Sequence, residues 1–172
     1  MMDLNSDPGR KVWHPLLYVI FLILLGFLFS NVEIQIEGPN GWAEALPTWR
    51  LDHHWLLNIV WGGRPVTGYH VYLFAFMALI FHLPLVMAGR FTLRLEARVL
   101  GSIMCFWIIE DFLWFWQNPH YGLDKLFKAD IGWHQYYFLF LPWDYWVFSI
   151  FGGGLIGWSF RTPRHTRSDD IS

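Results

Sequence analysis

The sequence predicts an all-α, polytopic membrane protein: a four-helix transmembrane bundle with an additional interfacial amphipathic helix. Three observations predict it. The 172-residue chain is 55% hydrophobic and only 15% charged, whereas a soluble domain carries about 25% charged residues. Aromatic residues reach 20%, with 12 Trp and 16 Phe, which is more apolar surface than a small soluble fold can hide. Four stretches meet the roughly 20 mostly apolar residues a helix needs to cross the hydrocarbon core, and no barrel-type alternation competes with them. The length suits one integral membrane domain, residues 1–172.

The first span is expected at about residues 12–30 (VWHPLLYVIFLILLGFLFS). Arg10 and Lys11 precede it, as in a signal peptide, but the apolar run is long and no A-x-A-like site follows, so an uncleaved anchor is expected. The loop at 31–65 carries EGPNG, a turn signature in which Pro and Gly supply the backbone angles. Trp49, Trp55, Leu56 and Ile59 then mix with charges, which predicts an interfacial helix at about 48–61, lying flat among the headgroups as an anchor or a lid. The second span is expected at about 66–88, and the basic loop GRFTLRLEAR after it reads as a lipid-headgroup contact. The third span falls at about 95–118 and the fourth at about 136–160. In the fourth, Gly153 and Gly157 are spaced to let a neighbouring helix approach closely. No strand precedes those glycines and no Lys-Ser/Thr follows, so a phosphate loop is excluded. The tail at 161–172 is polar and expected to be flexible.

Orientation follows from the cations. Arg10, Lys11, Arg90, Arg94, Arg98, Arg161, Arg164 and Arg167 fall on one side of the four expected spans; Arg50, Arg64, Lys125 and Lys128 fall on the other. The richer side is cytoplasmic, so both termini are expected there. The chain is expected in the cell membrane, which in a bacterium is the inner one. A formal charge of −2 calls for no nucleic-acid partner. The single Cys105 permits no intrachain disulfide and no Cys-based zinc site.

The informative residues are those a membrane should exclude. An ionisable side chain at the bilayer centre costs about 2.5–3.5 kcal/mol even on insertion scales, yet the third span holds Glu110 and Asp111 side by side. At about 100° per residue, Glu110, Asp111, Gln117 and Asn118 share an arc of about 120°, with Trp114 in its middle. That stripe is expected to face protein or trapped water. Asp144, His70, His120 and His134 lie toward the same side of the membrane. Each also has a structural reading: Asp144 favours a helix N-terminus, His70 bonds between helices, His120 marks a helix end, and an Arg50 or Arg64 partner clamps one acid. His82 is expected to serve the backbone groups that Pro84 frees, and His53 and His54 to be solvated.

Glu110 and Asp111 are the candidate catalytic residues. The candidate metal ligands are Glu110, Asp111, His70, His120, His134 and Asp144. Carboxylates with imidazoles suit a divalent metal such as zinc, iron or manganese, and a cation would compensate acids at depth. The chain has no H-E-x-x-H helix, no repeated Glu-x-x-His pair and no His-x-x-His-His boxes, so no reaction is named by motif. Three function classes stay open: an outward-facing carboxylate/histidine pocket that binds metal and acts on a lipid-soluble substrate, a non-enzymatic subunit of a larger membrane complex, and ion or proton transport. The partners expected are the bilayer and either a lipid-soluble small molecule or other membrane subunits.

Overall fold

In the computed structural model the described residues are 8–52, 55 and 64–161. They form helices α1 (Pro8–Glu37), α2 (Gly68–Ala88), α3 (Leu93–Gln117), α4 (Gly122–Phe127) and α5 (Trp143–Phe160). Two small antiparallel pairs join them: β1 (Arg50–Leu51) with β2 (Val66–Thr67), and β3 (Tyr137–Phe138) with β4 (Leu141–Pro142).

Three helices, α1, α2 and α3, are long and apolar enough to cross a membrane, and they mark a membrane protein. The fourth expected span is shorter than its apolar run. Residues 136–142 form the β3–β4 hairpin, tied by the Trp143 N–H to Tyr136 O (2.9 Å) and by the Trp146 indole to Phe138 O (3.0 Å). This leaves α5 with 18 residues, a rise of about 27 Å against a core of about 30 Å. It also opens on Trp143-Asp144 and carries four glycines, which lowers its apolar character.

The expected interfacial helix at 48–61 is corrected over its first residues. Arg50 and Leu51 pair as a strand with Thr67 and Val66. Most of the rest of that segment, with His53 and His54, lies outside the described residues.

α1 runs past its expected end at residue 30 and takes in Asn31–Glu37 (NVEIQIE), although Val32, Ile34 and Ile36 alternate as in a strand; Gly38 stops it at φ 65°. Thr67 caps α2, accepting the His70 N–H at 3.2 Å, and Gly89 ends it with φ 58°. Thr92 caps α3, accepting from Leu95, and Glu96 sits in its first turn near the positive helix end.

α3 is the hub. It packs most extensively against α5 and α1 and far less against α2 and α4. Gly101 and Gly152 bring α3 and α5 together: a Cβ on Gly101 would lie 2.7 Å from Gly152 O, and one on Gly152 would lie 3.0 Å from Gly101 O. The glycine cluster thus packs through Gly152. Gly153 and Gly157, the expected pair, meet nothing within 4 Å. Gly26 does the same for α1, where a Cβ would lie 2.9 Å from Ile109. Arg94 donates to Arg161 O, and Arg98 to Ser159, so both tie α3 to the end of α5.

Beyond the C-terminal end of α3 the chain folds back as an aromatic cap. Trp114, Phe115, Leu126, Ile131, Trp133 and Tyr145 form its buried core.

Candidate metal centre

The last turn of α1 places Glu33 and Glu37 one above the other, and both are buried. This is an unfavourable end for acids, since a helix C-terminus carries partial negative charge. Each has a donor. Tyr69 donates its hydroxyl to Glu33 Oε1 at 3.2 Å, and the Ala43 N–H donates to Glu37 Oε1 at 2.5 Å. The second contact depends on the EGPNG turn, which swings the chain back over the helix end. Trp42 and Ala43 both sit at positive φ (45° and 52°), a conformation that costs about 1–3 kcal/mol in a non-glycine residue. Gly41 admits no side chain, because its Cβ would lie 2.6 Å from Trp133.

The turn delivers Trp42 onto His70. The two rings stack with centroids 4.0 Å apart, and the indole donates to Pro65 O at 2.8 Å. His70, in the first turn of α2, is buried; its Nδ1 lies 2.7 Å from Thr67 Oγ1. In the tautomer that donates from Nδ1, Nε2 turns a lone pair toward Glu37, 3.9 Å from Oε1. One ligand atom from each of Glu33, Glu37 and His70 falls within 4.8 Å of the others. Tetrahedral ligands with bonds of about 2.0–2.2 Å stand roughly 3.3–3.6 Å apart, so the set closes round a cation by drawing inward by about 1 Å.

Glu110 approaches from α3. It is 3% exposed, interacts directly with Glu33, and its Oε1 is buried with no hydrogen-bond partner. Among the described residues, no ion pair joins an Arg or Lys to Glu33, Glu37 or Glu110.

Asp111, about 100° further round α3, belongs to a second group with its own cation. Arg64 pairs with Asp144, donates to Trp133 O at 3.1 Å and meets His134 Nδ1 at 2.6 Å. A guanidinium can only donate, so Nδ1 accepts and the ring proton sits on Nε2. That nitrogen lies 3.3 Å from Asp111 Oδ2, outside hydrogen-bond geometry. Tyr145 donates its hydroxyl to the same carboxylate oxygen. Burial, with Asp111 and Asp144 nearby, pushes the Tyr137 phenol up to about 12.

Both groups line one cavity of about 980 Å³. No family model matches this chain, and no curated protein or solved structure matches it.

Of the residues singled out in the sequence, the fold brings Glu110, Asp111, His70, His134 and Asp144 to that cavity. His120 stays exposed on the loop after α3, its N–H donating to Asn118 Oδ1 at 3.0 Å, and is not part of the lining. Gln117 and Asn118 leave the stripe to hold α1 and its turn: Gln117 donates to Ser30 Oγ at 2.7 Å, and Asn118 reaches Gly38 O at 3.5 Å. Neither Arg50 nor Arg64 clamps Glu110. His82 bonds Ala78 O (2.7 Å) and Glu96 (3.0 Å), not the carbonyl that Pro84 frees.

Glu33 and Glu37 escape the sequence reading because it ends the first span at residue 30. The signal was present in NVEIQIE: two acids at i, i+4 inside an apolar pattern share a helix face.

Proposed function

We propose that this chain is an integral membrane metal-binding protein, in which Glu33, Glu37, Glu110 and His70 hold one divalent cation that acts on a lipid-soluble substrate. The observation that carries the reading is the buried acid cluster: three buried carboxylates and one imidazole, with Glu110 Oε1 unpartnered and, among the described residues, no Arg or Lys in an ion pair with them. Burying an unpaired charge is costly; a divalent cation would balance two of the three acids, leaving one to be carried as the neutral acid. Three oxygens and one nitrogen form a hard-to-borderline set suited to zinc, iron or manganese.

Such a cation would polarise a bound carbonyl or water. Asp111 and His134 stand in the same cavity as the pair that would take and return a proton, with Arg64 and Tyr145 fixing their orientation. The membrane arrangement belongs to the same proposal. α5 is the fourth span, with Ile150, Phe151 and Trp158 exposed to lipid. Both termini are cytoplasmic by the cation asymmetry, and the metal site opens outward.

Elemental analysis of the detergent-purified full chain tests it. One equivalent of zinc, iron or manganese per chain is expected, lost in Glu110→Gln and in His70→Ala and kept in Lys128→Ala. A folded, monodisperse protein that holds no metal, and takes none up on dialysis, would end the proposal.

A further inference from the structure

The cavity does not stop at the acidic cluster. On α2 its lining passes from His70 to His82, and on α3 from Glu110 back to Leu100, lengths of about 18 and 15 Å of helix rise. α5 walls only the upper part, through Asp144, Val147 and Phe148. Below Glu110 the wall is apolar: Phe74, Ala78, Leu100, Ile103, Met104 and Trp107. His82 stands at the foot, where its bond to Glu96 ties α2 to α3.

An ion crossing this arm would find no carboxylate, imidazole or hydroxyl on α2 or α3 between Glu110 and His82 among the lining residues. A hydrocarbon chain needs none. The arm is about as deep as one leaflet of a hydrocarbon core, roughly 15 Å.

We propose that the arm is an acyl-chain site: a single-chain lipid with a carboxylic acid head seats its chain along α2 and α3 down to His82, with its head on the cation at Glu33, Glu37, Glu110 and His70. The inference rests on the metal proposed above: three carboxylates repel an anionic head, and a divalent cation balances only two of them, so the head enters as the neutral acid and meets the cation through its carbonyl oxygen. It adds the class of substrate. A chain leaving lipid for this arm gains no hydrophobic energy, since the two surroundings are equally apolar. Occupancy is therefore decided by the head group at the cation, and chain binding depends on metal.

Photolabelling of the full chain in lipid vesicles tests this, using palmitic acid with a diazirine at the end of its chain. Labels are expected on residues 78–82 and 100–104, displaced by excess palmitic acid and lost in Glu110→Gln. Leu100→Trp should lower the displaceable labelling about ten-fold or more, the cost of misfit in an apolar pocket, with metal content unchanged. Leu100 is already 45% exposed, so the fold tolerates the larger ring there. Leu79→Trp, at a neighbouring position 73% exposed and outside the cavity lining, should leave labelling intact. With one metal equivalent bound, labelling that excess palmitic acid does not displace, or that falls equally in both Trp variants, would overturn the inference. Displaceable labelling that persists in Glu110→Gln would overturn it too. Absence of metal in the same sample, read by elemental analysis, would instead overturn the proposed function and this inference with it.

Discussion

Trp42 lies flat against His70, ring centroids 4.0 Å apart and planes 24° from parallel. The contact spans 28 positions of sequence and joins the turn after α1 to the first turn of α2. It leaves the imidazole one orientation, with Nδ1 toward Thr67 and Nε2 toward Glu37. It also explains why Trp42 tolerates a positive φ: the indole is held by Pro65 O on one edge and by the histidine on its face. Trp42→Ala should release the ring and weaken metal binding by about 10–100-fold, the usual effect of losing an outer support of a ligand. Competition with a chromophoric chelator would measure it. Unchanged affinity would show that the stack is ornamental to the site.

Thr67 serves two masters, capping α2 through the His70 N–H and fixing the His70 ring through Nδ1. Thr67→Ala should lower stability by about 0.5–2 kcal/mol through the lost cap. It should also weaken metal affinity by about 10–100-fold through the freed imidazole. Thr67→Ser keeps the hydroxyl and should restore both. Chelator competition and thermal melting, run on the same three proteins, separate the effects: a purely structural Thr67 would move the melt and leave metal affinity unchanged.

Metal removal should destabilise the wild type and spare Glu110→Gln. At free metal about 100 times its Kd, binding contributes about 2.7 kcal/mol. At about 2–4 °C per kcal/mol for a chain of this size, chelation should lower the melting temperature by roughly 5–11 °C. The metal-free ranking should invert, with Glu110→Gln melting above metal-free wild type, because the amide removes one of three crowded carboxylates. A wild type that melts identically with and without chelator would contradict the site.

Arg64 neutralises the second acid group from its centre, touching Asp144, His134 and the Trp133 carbonyl. Its side chain and that of Asp144 are partly exposed, so the loss on Arg64→Ala is set well below that of a dry ion pair. A cost of about 1–3 kcal/mol is expected from the partners left unsatisfied. Arg64→Lys should recover little of it, since one ammonium cannot reproduce the fork that reaches three acceptors. Thermal melting of the two variants against wild type checks the ordering.

At the α3–α5 crossing, Gly152→Leu should cost at least about 1–3 kcal/mol, the price of overpacking a tight contact. Gly153→Leu and Gly157→Leu should be close to neutral, because nothing stands within 4 Å of either Cβ position. Equal destabilisation by all three would mean that composition of the glycine run, not position, matters.

That glycine run shows how local sequence and packing divide the work. The small residues announce a close helix approach, but the register that chooses Gly152 over Gly153 depends on the rotation of α5 against Gly101. No local rule contains that angle. The three long apolar helices were legible because a membrane span is a one-dimensional signal: length and apolarity suffice, with no partner specified. The hairpin at 136–142 was not. Its residues are as apolar as a span, and the carbonyl bonds to Trp143 and Trp146 that hold it exist only once the aromatic cap has formed.

The site divides the same way. Glu110 and Asp111 stand out by themselves, since acids in an apolar run need a reason wherever they fold. Which partners each would meet was undecided, and the fold sends these neighbours to different groups because a helix turns about 100° between them. Glu33 and Glu37 carried a readable i, i+4 spacing, hidden by ending the first span too early. Local sequence specifies the medium and the anomaly: apolar helices holding acids they should not hold. Packing brings Glu33, Glu37, His70 and Glu110 together with no Arg or Lys ion pair among the described residues, and sets Asp111 and Asp144 beside His134, with Arg64 on Asp144. Convergence depends on distances between segments far apart in the chain, and those are set by packing.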